Sequence, residues 1–143
     1  MPDTPMTSYS ATTRAAMGKT WQFLITTGKY DPWLEFHSGP MPRSPEDPAT
    51  AQNKLLCRLK VDRLTLRVAE GNAINSGDAS FARLIGADGK ALLDFKTTLR
   101  GGGGVIEWNT LEIRKGGPVT VFRSLNFYSS RAEKNEEDEE AKR

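Results

Sequence analysis

The chain has 143 residues, of which 37% are hydrophobic, and this length predicts one domain with a single core. Its formal net charge of +2 at pH 7 is too small to predict nucleic acid as a partner. Because no apolar run approaches the length of about 18 residues, we predict no membrane-spanning helix, and we expect no secretory signal.

The N-terminal part of the sequence divides into two segments. Residues 1–13 are small, polar and proline-bearing, which predicts an extended arm. Residues 14–27 carry apolar side chains at helical spacing, and Gly28 is a plausible C-cap. The helically spaced residues are Met17, Trp21, Leu24 and Ile25. We favour a short helix here, but a strand that alternates around Phe23 remains open.

Beyond residue 28 the sequence is typical of short β-strands. The segment "DPWLEFHSG", 31–39, predicts a strand, and the four prolines between Pro40 and Pro48 predict a surface loop, since proline cannot donate to a β-ladder. "LLCRLKV", 55–61, alternates Cys57, Leu59 and Val61 with basic residues and predicts a second strand.

The segment "RLTLRV", 63–68, predicts a third strand with Leu64, Leu66 and Val68 facing inward. Its inward positions are even, whereas those of the preceding strand are odd. A change of one residue in register turns every side chain to the other face of the sheet. We therefore expect a bulge or tight turn at Asp62 and Arg63.

The strongest local signal is "FARLIGADGKALLDF", 81–95, where Asp88 and Gly89 separate two apolar runs and predict a β-hairpin. "VIEWNTLEI" and "PVTVFRSLNFYS" predict two more strands. In the last strand one face is shared by Val119, Val121, Leu125 and Phe127. Several short strands with regular turns predict an all-β domain over 14–130, an antiparallel β-sandwich or jelly roll. The remaining residues, 131–143, carry six acidic and four basic side chains and predict a solvated tail.

A glycine-rich stretch is one feature of phosphate-binding loops, and this chain has a run of four consecutive glycines at Gly101, Gly102, Gly103 and Gly104. Such a loop opens a helix, whereas these glycines lie between two predicted strands. We predict structural turns here, either a flexible connection between strands or a close approach of backbones at an assembly contact. "MGKT", 17–20, ends like a phosphate-binding loop, but Thr13 stands where that motif needs its first glycine.

The chemistry-bearing residues predict no catalytic, cofactor or metal site. His37 and Cys57 are each the only residue of their type, and two such ligands cannot make a common zinc site. A single cysteine also excludes a disulfide within the chain, which suits a reducing cytoplasm. We expect His37 at the surface or at a strand end, and Cys57 in the core. The strand carboxylates Asp94, Glu107 and Glu112 alternate with apolar residues, so we expect all three on solvated faces rather than in acid–base catalysis.

A single-stranded nucleic-acid-binding module is a further possibility, because such modules combine aromatic platforms with a basic groove. Four aromatic residues are candidates for such platforms, but they are not interleaved with a dense basic stripe, and we predict core or interface positions for them. These four are Trp33, Trp108, Phe122 and Tyr128.

The chain resembles a group of small virion structural proteins of tailed bacteriophages over residues 14–130. The resemblance becomes recognisable at "LEFHSGPMP" followed by "LLCRLKV". The shared pattern is an aromatic-Ala-Arg strand, an Asp-Gly hairpin, a glycine-rich stretch, an Asn-Thr strand and a final strand of alternating valines. The matching residues are Phe81 and Arg83, Asp88 and Gly89, Gly101 to Gly104, Asn109 and Thr110, and Gly117, Val119 and Val121.

This resemblance implies a non-enzymatic capsid decoration or cement protein, made in the host cytoplasm, that bridges major capsid protein subunits on the virion surface as a homo-oligomer. The arm at 1–13, the loop at 40–53 and a basic group would supply the contacts. The predicted contact residues are Met6, Tyr9, Arg43, Arg114, Lys115 and Arg123. The alternatives are a tail or baseplate protein that contacts the host surface, and the nucleic-acid-binding module.

Overall fold

The computed structural model describes residues 9–103, 106–121 and 125. In this part of the chain the fold is mostly β with one helix. The elements are α1 (Ala11–Thr26), β1 (Trp33–Ser38), β2 (Lys54–Lys60), β3 (Gly71–Asn72), β4 (Gly77–Asp78), β5 (Phe81–Ile85), β6 (Ala91–Leu99), β7 (Ile106–Trp108), β8 (Glu112–Ile113) and β9 (Pro118–Val119). No helix among these elements is long and apolar enough to cross a membrane.

The N-terminal segment is a helix, which settles the choice that the sequence left open. Ser10 is the N-cap, and its hydroxyl accepts a hydrogen bond from the Thr13 amide at 3.1 Å. The helix therefore includes residues 11–13 of the predicted arm, whereas residues 1–8 lie outside the described part. Ile25 is fully buried and anchors α1 to the core.

Five strands form a curled, mixed sheet in the order β2-β1-β5-β6-β7. All neighbours are antiparallel except β6 and β7, which run parallel. Two small sheets pair β3 with β9 and β4 with β8. The prediction of a β-rich fold is confirmed at this level, while the finer prediction of a sandwich or jelly roll stays a prediction.

One face of the main sheet carries the hydrophobic core. Leu34 and Phe36 of β1 are fully buried there, as are the strand residues that flank them on β2 and β5. Cys57 is among these buried residues, as predicted. Val119, Val121 and Leu125 from the end of the chain join the same core, and Phe127 lies outside the described residues. The predicted alternation is thus confirmed for the described part of the last segment.

The predicted strand 63–68 is wrong, whereas the predicted turn before it is confirmed. One carboxylate oxygen of Asp62 accepts hydrogen bonds from the amides of Leu64 and Thr65, both at 2.8 Å, and fixes a tight turn. Leu64 is 86% exposed as a result. Leu66 reaches the core only by adopting a left-handed backbone, with φ of 58°. These local side-chain hydrogen bonds outweigh the alternating pattern.

The predicted hairpin is confirmed by the antiparallel pairing of β5 with β6. Gly89 adopts φ of 83°, and the Asp88 carboxylate accepts a hydrogen bond from the Lys90 amide at 3.0 Å. A Cβ on Gly89 would lie 3.5 Å from the Tyr30 ring, so the hairpin tip packs beside the segment that follows α1.

Strand register defines two ends of the molecule. At one end Trp33 pairs with Lys60 and with Ile85, and the C-terminus of α1, the 62–66 turn and the hairpin tip gather there; we call it the helix end. At the opposite end Ser38 pairs with Lys54, and residues 39–53, the proline loop, connect the two strands. We call this the loop end.

Candidate functional site

The predicted contact residues do not form one surface. Tyr9 is 48% exposed just before the N-cap, and Arg43 is exposed in the proline loop. Arg114 and Lys115 share the exposed turn between β8 and β9. Met6 and Arg123 lie outside the described residues. The structure thus separates the four described candidates into three places.

A basic cluster forms around Ser76, and the sequence did not predict its third member. The Lys54 ammonium group donates to the Ser76 carbonyl at 2.8 Å, and the Lys115 amide donates to the Ser76 hydroxyl at 2.8 Å. Arg114 stands next to Lys115 but forms an exposed ion pair with Glu112 at 3.0 Å. An exposed pair of this kind contributes at most about 1 kcal/mol, so it leaves Arg114 available to a partner.

Large apolar side chains are exposed at the helix end. Leu64, Phe23 and Tyr30 are 86%, 64% and 52% exposed, and we call these three residues the helix-end patch. Since soluble domains seldom gather large apolar side chains on the surface without a purpose, the patch is a candidate interaction surface.

Arg63 holds the elements of this patch together. Its guanidinium donates to the carbonyls of Thr26 at 2.9 Å and Gly28 at 3.3 Å, and also to that of Tyr30. A cation at this position satisfies terminal carbonyls of α1 and complements the negative end of the helix. The Gln22 amide donates back to the carbonyl of Leu64 at 3.3 Å. The exposed apolar groups are therefore mounted on a fixed framework.

The charges around the patch are asymmetric. The carboxylates of Asp62 and Asp88 accept hydrogen bonds from the amides of their own turns. The ammonium groups of Lys29 and Lys90 have no carboxylate within salt-bridge distance among the described residues. The helix end therefore offers an apolar centre whose rim carries both charges, and its two ammonium groups are not engaged in ion pairs within the described residues.

The second face of the main sheet carries a row of alternating charges, which corrects the prediction for Asp94. Arg58, Glu35, Arg83 and Asp94 are direct neighbours across β2, β1, β5 and β6, and we call them the charge row. Arg83 and Asp94 form two parallel hydrogen bonds of 2.7 and 2.9 Å. The Asp94 side chain is only 4% exposed, so this carboxylate is buried in an ion pair and not solvated. Glu107 and Glu112 are exposed, as predicted.

His37 is at a strand end, as predicted, but it is buried rather than at the surface. The residue is 5% exposed and stacks on the Phe81 ring, with centroids 5.1 Å apart. Its Nε2 atom lies 3.3 Å from the Glu35 carboxylate, while Nδ1 has no hydrogen-bond partner among the described residues. The sequence indicated only a strand end beside the proline loop, and it could not indicate that this strand end is covered.

The electrostatic environment of Glu35 lowers the pKa of its carboxyl group below 4.5. Burial by itself would raise this pKa, but the hydrogen bond with His37 and the charges of His37, Arg58 and Arg83 outweigh it. The pKa of the Arg83 guanidinium is raised in turn, first by its hydrogen bond with Asp94. Burial opposes this rise, and the charges of Asp94, Glu35 and Asp47 add to it. The influence of Asp47 indicates that the proline loop approaches the charge row.

Acid should weaken the fold through Glu35. Because its pKa is lower in the folded chain, the charged carboxylate stabilises the fold above about pH 4.5, and this contribution is lost as the pH falls through the folded value. We expect Glu35→Gln to be less stable than the parent at pH 7, and the difference to shrink towards pH 3. Urea unfolding across this range measures it. Glu112→Gln, in an exposed pair, is the control, and an equal pH dependence in both variants would contradict the assignment.

The glycine run forms a tight, hydrogen-bonded turn over its described part. Gly101 and Gly103 adopt φ of 88° and 85°, which glycine tolerates best. Their amides donate to the two carboxylate oxygens of Glu107 at 3.0 and 3.1 Å. The amides that could bind a phosphate thus hold a carboxylate of the same chain. Gly102 lies between them, and Gly104 falls outside the described residues.

This turn also explains the parallel pairing of β6 with β7. Parallel neighbours usually need a crossover of a dozen residues or more, whereas only residues 100–105 connect these strands. The Arg100 amide donates to the Trp108 carbonyl at 3.0 Å, next to the last pair of this ladder, Leu99 with Trp108. A close approach of backbones is therefore made within the chain, whereas an assembly contact at the glycines stays a prediction.

The remaining motif and aromatic residues have structural positions. "MGKT" lies inside α1, where it cannot form a loop in front of a helix. Trp108 packs on Phe36, with ring centroids 4.9 Å apart. Trp33 lies beneath the Arg58 guanidinium at 4.4 Å. Phe122 and Tyr128 are outside the described residues.

Comparisons with models of protein families, with curated proteins and with solved structures found no match to this chain.

Proposed function

We propose that this chain is a capsid decoration or cement protein of a tailed bacteriophage, and that the helix-end patch is its contact with the major capsid protein. The observation that carries the proposal is the exposure of Phe23, Tyr30 and Leu64 on a fixed framework. The resemblance over 14–130 supplies the identity of the partner.

The burial of the sheet supports an external partner for this patch. In β5, residues 81–84 are all buried, although alternate residues of a strand point to opposite faces. This central strand therefore has neighbours within the chain on both faces, and these faces are already used for folding. Apolar side chains that stay exposed elsewhere are free to meet another protein.

The proposal includes the prediction that the domain is a β-sandwich or jelly roll. Residues Ala73, Ile113 and Val119 reach the core from the short strands of the two small sheets or from next to them. Their contribution to the common core supports a second layer made from these sheets, as a sandwich requires. A rigid body of this type suits a protein that bridges capsid subunits.

The side chains of the helix-end patch favour a capsid surface with an apolar pocket and carboxylates around it. Apolar anchors such as Phe23 and Tyr30 bind best in pockets that exclude water. The ammonium groups of Lys29 and Lys90 favour a partner with carboxylates around such a pocket, and this complementarity accelerates association more than it increases affinity. We expect capsid binding that weakens moderately with salt.

Separate binding to heads and tails tests the proposal. Purified chain is mixed with empty heads, and in parallel with tails, from the phage that encodes it, and bound protein is measured by cosedimentation. We expect head binding, and we expect the double variant Phe23→Ser, Leu64→Ser to reduce it at least tenfold, since truncating interface anchors commonly costs about 1–2 kcal/mol each. Leu99→Ser is the matched control, because Leu99 is 52% exposed and lies at the loop end.

The outcomes separate the candidate functions. Binding to tails alone would contradict the head assignment and favour a tail or baseplate protein. A single-stranded nucleic-acid-binding module would instead bind labelled oligonucleotide in a strongly salt-dependent manner. We expect little oligonucleotide binding, because the two cations beside Trp33 are already in ion pairs. Arg58 pairs with Glu35 at 3.1 Å, and Lys60 pairs with Asp31 at 3.2 Å.

A further inference from the structure

A groove of about 520 Å³ opens beside β7, away from the helix-end patch. This volume lies within the range of roughly 300–1,000 Å³ that small-molecule sites occupy. Its lining includes Trp108, Asn109, Thr110, Glu112, Arg114 and Pro118, and we call it the Trp108 groove. Asn109 and Thr110 meet Gly117 and Val119 in this lining, so two separate motifs of the bacteriophage resemblance come together here.

The groove combines an aromatic surface with unused polar groups. Trp108 is half-buried, packs on Phe36 and contributes the rest of its surface to the lining. The Asn109 carboxamide is exposed and has no hydrogen-bond partner in the described part of the chain. The Thr110 hydroxyl accepts from the Glu112 amide at 3.1 Å and keeps its proton available to donate.

The charges in the groove nearly cancel. One Glu112 oxygen accepts from the Arg114 Nε at 3.0 Å, which leaves the second oxygen as an acceptor and the terminal nitrogens of Arg114 as donors. A ligand with phosphates would need uncompensated cations, so this lining favours an uncharged ligand. The polar groups of the lining include both donors and acceptors, which suits a ligand whose own groups do both.

We infer that the Trp108 groove binds a saccharide. Hydroxyl groups on a pyranose ring both donate and accept, as the carboxamide, hydroxyl and carboxylate of the groove require. The C–H groups on one face of such a ring carry a small positive charge and pack against the negative face of an aromatic ring. The inference goes beyond capsid attachment, because it adds a second, small-molecule surface to the chain.

Nuclear magnetic resonance of the full chain tests this inference with four probes: D-glucose, D-galactose, D-mannose and N-acetyl-D-glucosamine. We expect at least one of them to shift the Trp108 indole and Asn109 carboxamide signals in a saturable way, with a Kd on the order of 1 mM. The Trp33 indole is the internal control and should not move. Asn109→Ala should weaken binding about tenfold, the value of one lost hydrogen bond, without changing the melting temperature.

Three outcomes would overturn the inference. In the first, none of the four sugars shifts the Trp108 signal at concentrations far above the expected Kd. In the second, Asn109→Ala binds as well as the parent chain. In the third, a deca-thymidine oligonucleotide moves the same signals in place of the sugars, which would assign the groove to nucleic acid. Head binding is measured separately, so these results leave the capsid proposal unaffected.

Discussion

Arg83→Met should lower the free energy of unfolding by about 3–5 kcal/mol, the usual effect of removing one partner from a buried ion pair. The side chains of Arg83 and Asp94 are 8% and 4% exposed, so Asp94 would be left charged, buried and without its two hydrogen bonds. Glu35, the neighbour of Arg83 on β1, would also lose a favourable charge. Urea unfolding at pH 7 measures the loss, which is a large part of the about 5–15 kcal/mol typical of a domain.

Two variants separate the ion pair from the loss of packing. Arg58→Met removes the other cation of the charge row, which is 44% exposed, and should cost no more than about 1 kcal/mol. The double variant Arg83→Met, Asp94→Leu replaces both partners by apolar groups and should recover most of the stability, because it leaves no buried charge unpaired in that pair. If Arg83→Met were no worse than Arg58→Met, the burial of the row would be contradicted.

The charge row also shows where the sequence stops being informative. Alternation predicted β2, and two apolar runs on either side of the Asp88-Gly89 turn predicted the β5–β6 hairpin. The same kind of alternation placed Asp94 on a face assumed to be open. It contains no information on what covers the second face, since that depends on how residues distant along the chain fold back onto it.

The helix-end patch was missed for a related reason. The pattern of "RLTLRV" put Leu64 in a strand, but the Asp62 carboxylate turns the chain before a strand can form. The acidic residue at the change of register was the available signal, because aspartate stabilises such turns through its own side chain. That Arg63 then reaches the end of α1 depends on tertiary packing, which no local pattern encodes.

Gly28→Ala should be the most damaging glycine substitution at the helix end, with a loss of at least about 3 kcal/mol. The sequence indicated only a C-cap here, yet the structure gives Gly28 two constraints. Its φ of 145° is a conformation that side chains with a Cβ rarely adopt. A Cβ would also overlap the Ala87 carbonyl group and lie 2.6 Å from the Asp88 amide nitrogen, which are backbone atoms and cannot rotate away.

Gly116→Ala is the matched comparison, a glycine with a positive φ but without a close contact. Gly116 adopts φ of 83°, and a Cβ there would meet no atom within 4 Å, so only the left-handed backbone should cost energy, about 1–2 kcal/mol. The excess loss in Gly28→Ala therefore combines its more restricted backbone with the close approach between the segment after α1 and the hairpin, where the Ala87 amide donates to Ile25 and its carbonyl accepts from Tyr30. Since this contact positions Tyr30, Gly28→Ala should also reduce head binding under conditions where the chain is still folded, whereas Gly116→Ala should not. Equal losses of stability in the two variants would mean that helix and hairpin are not in contact at this point.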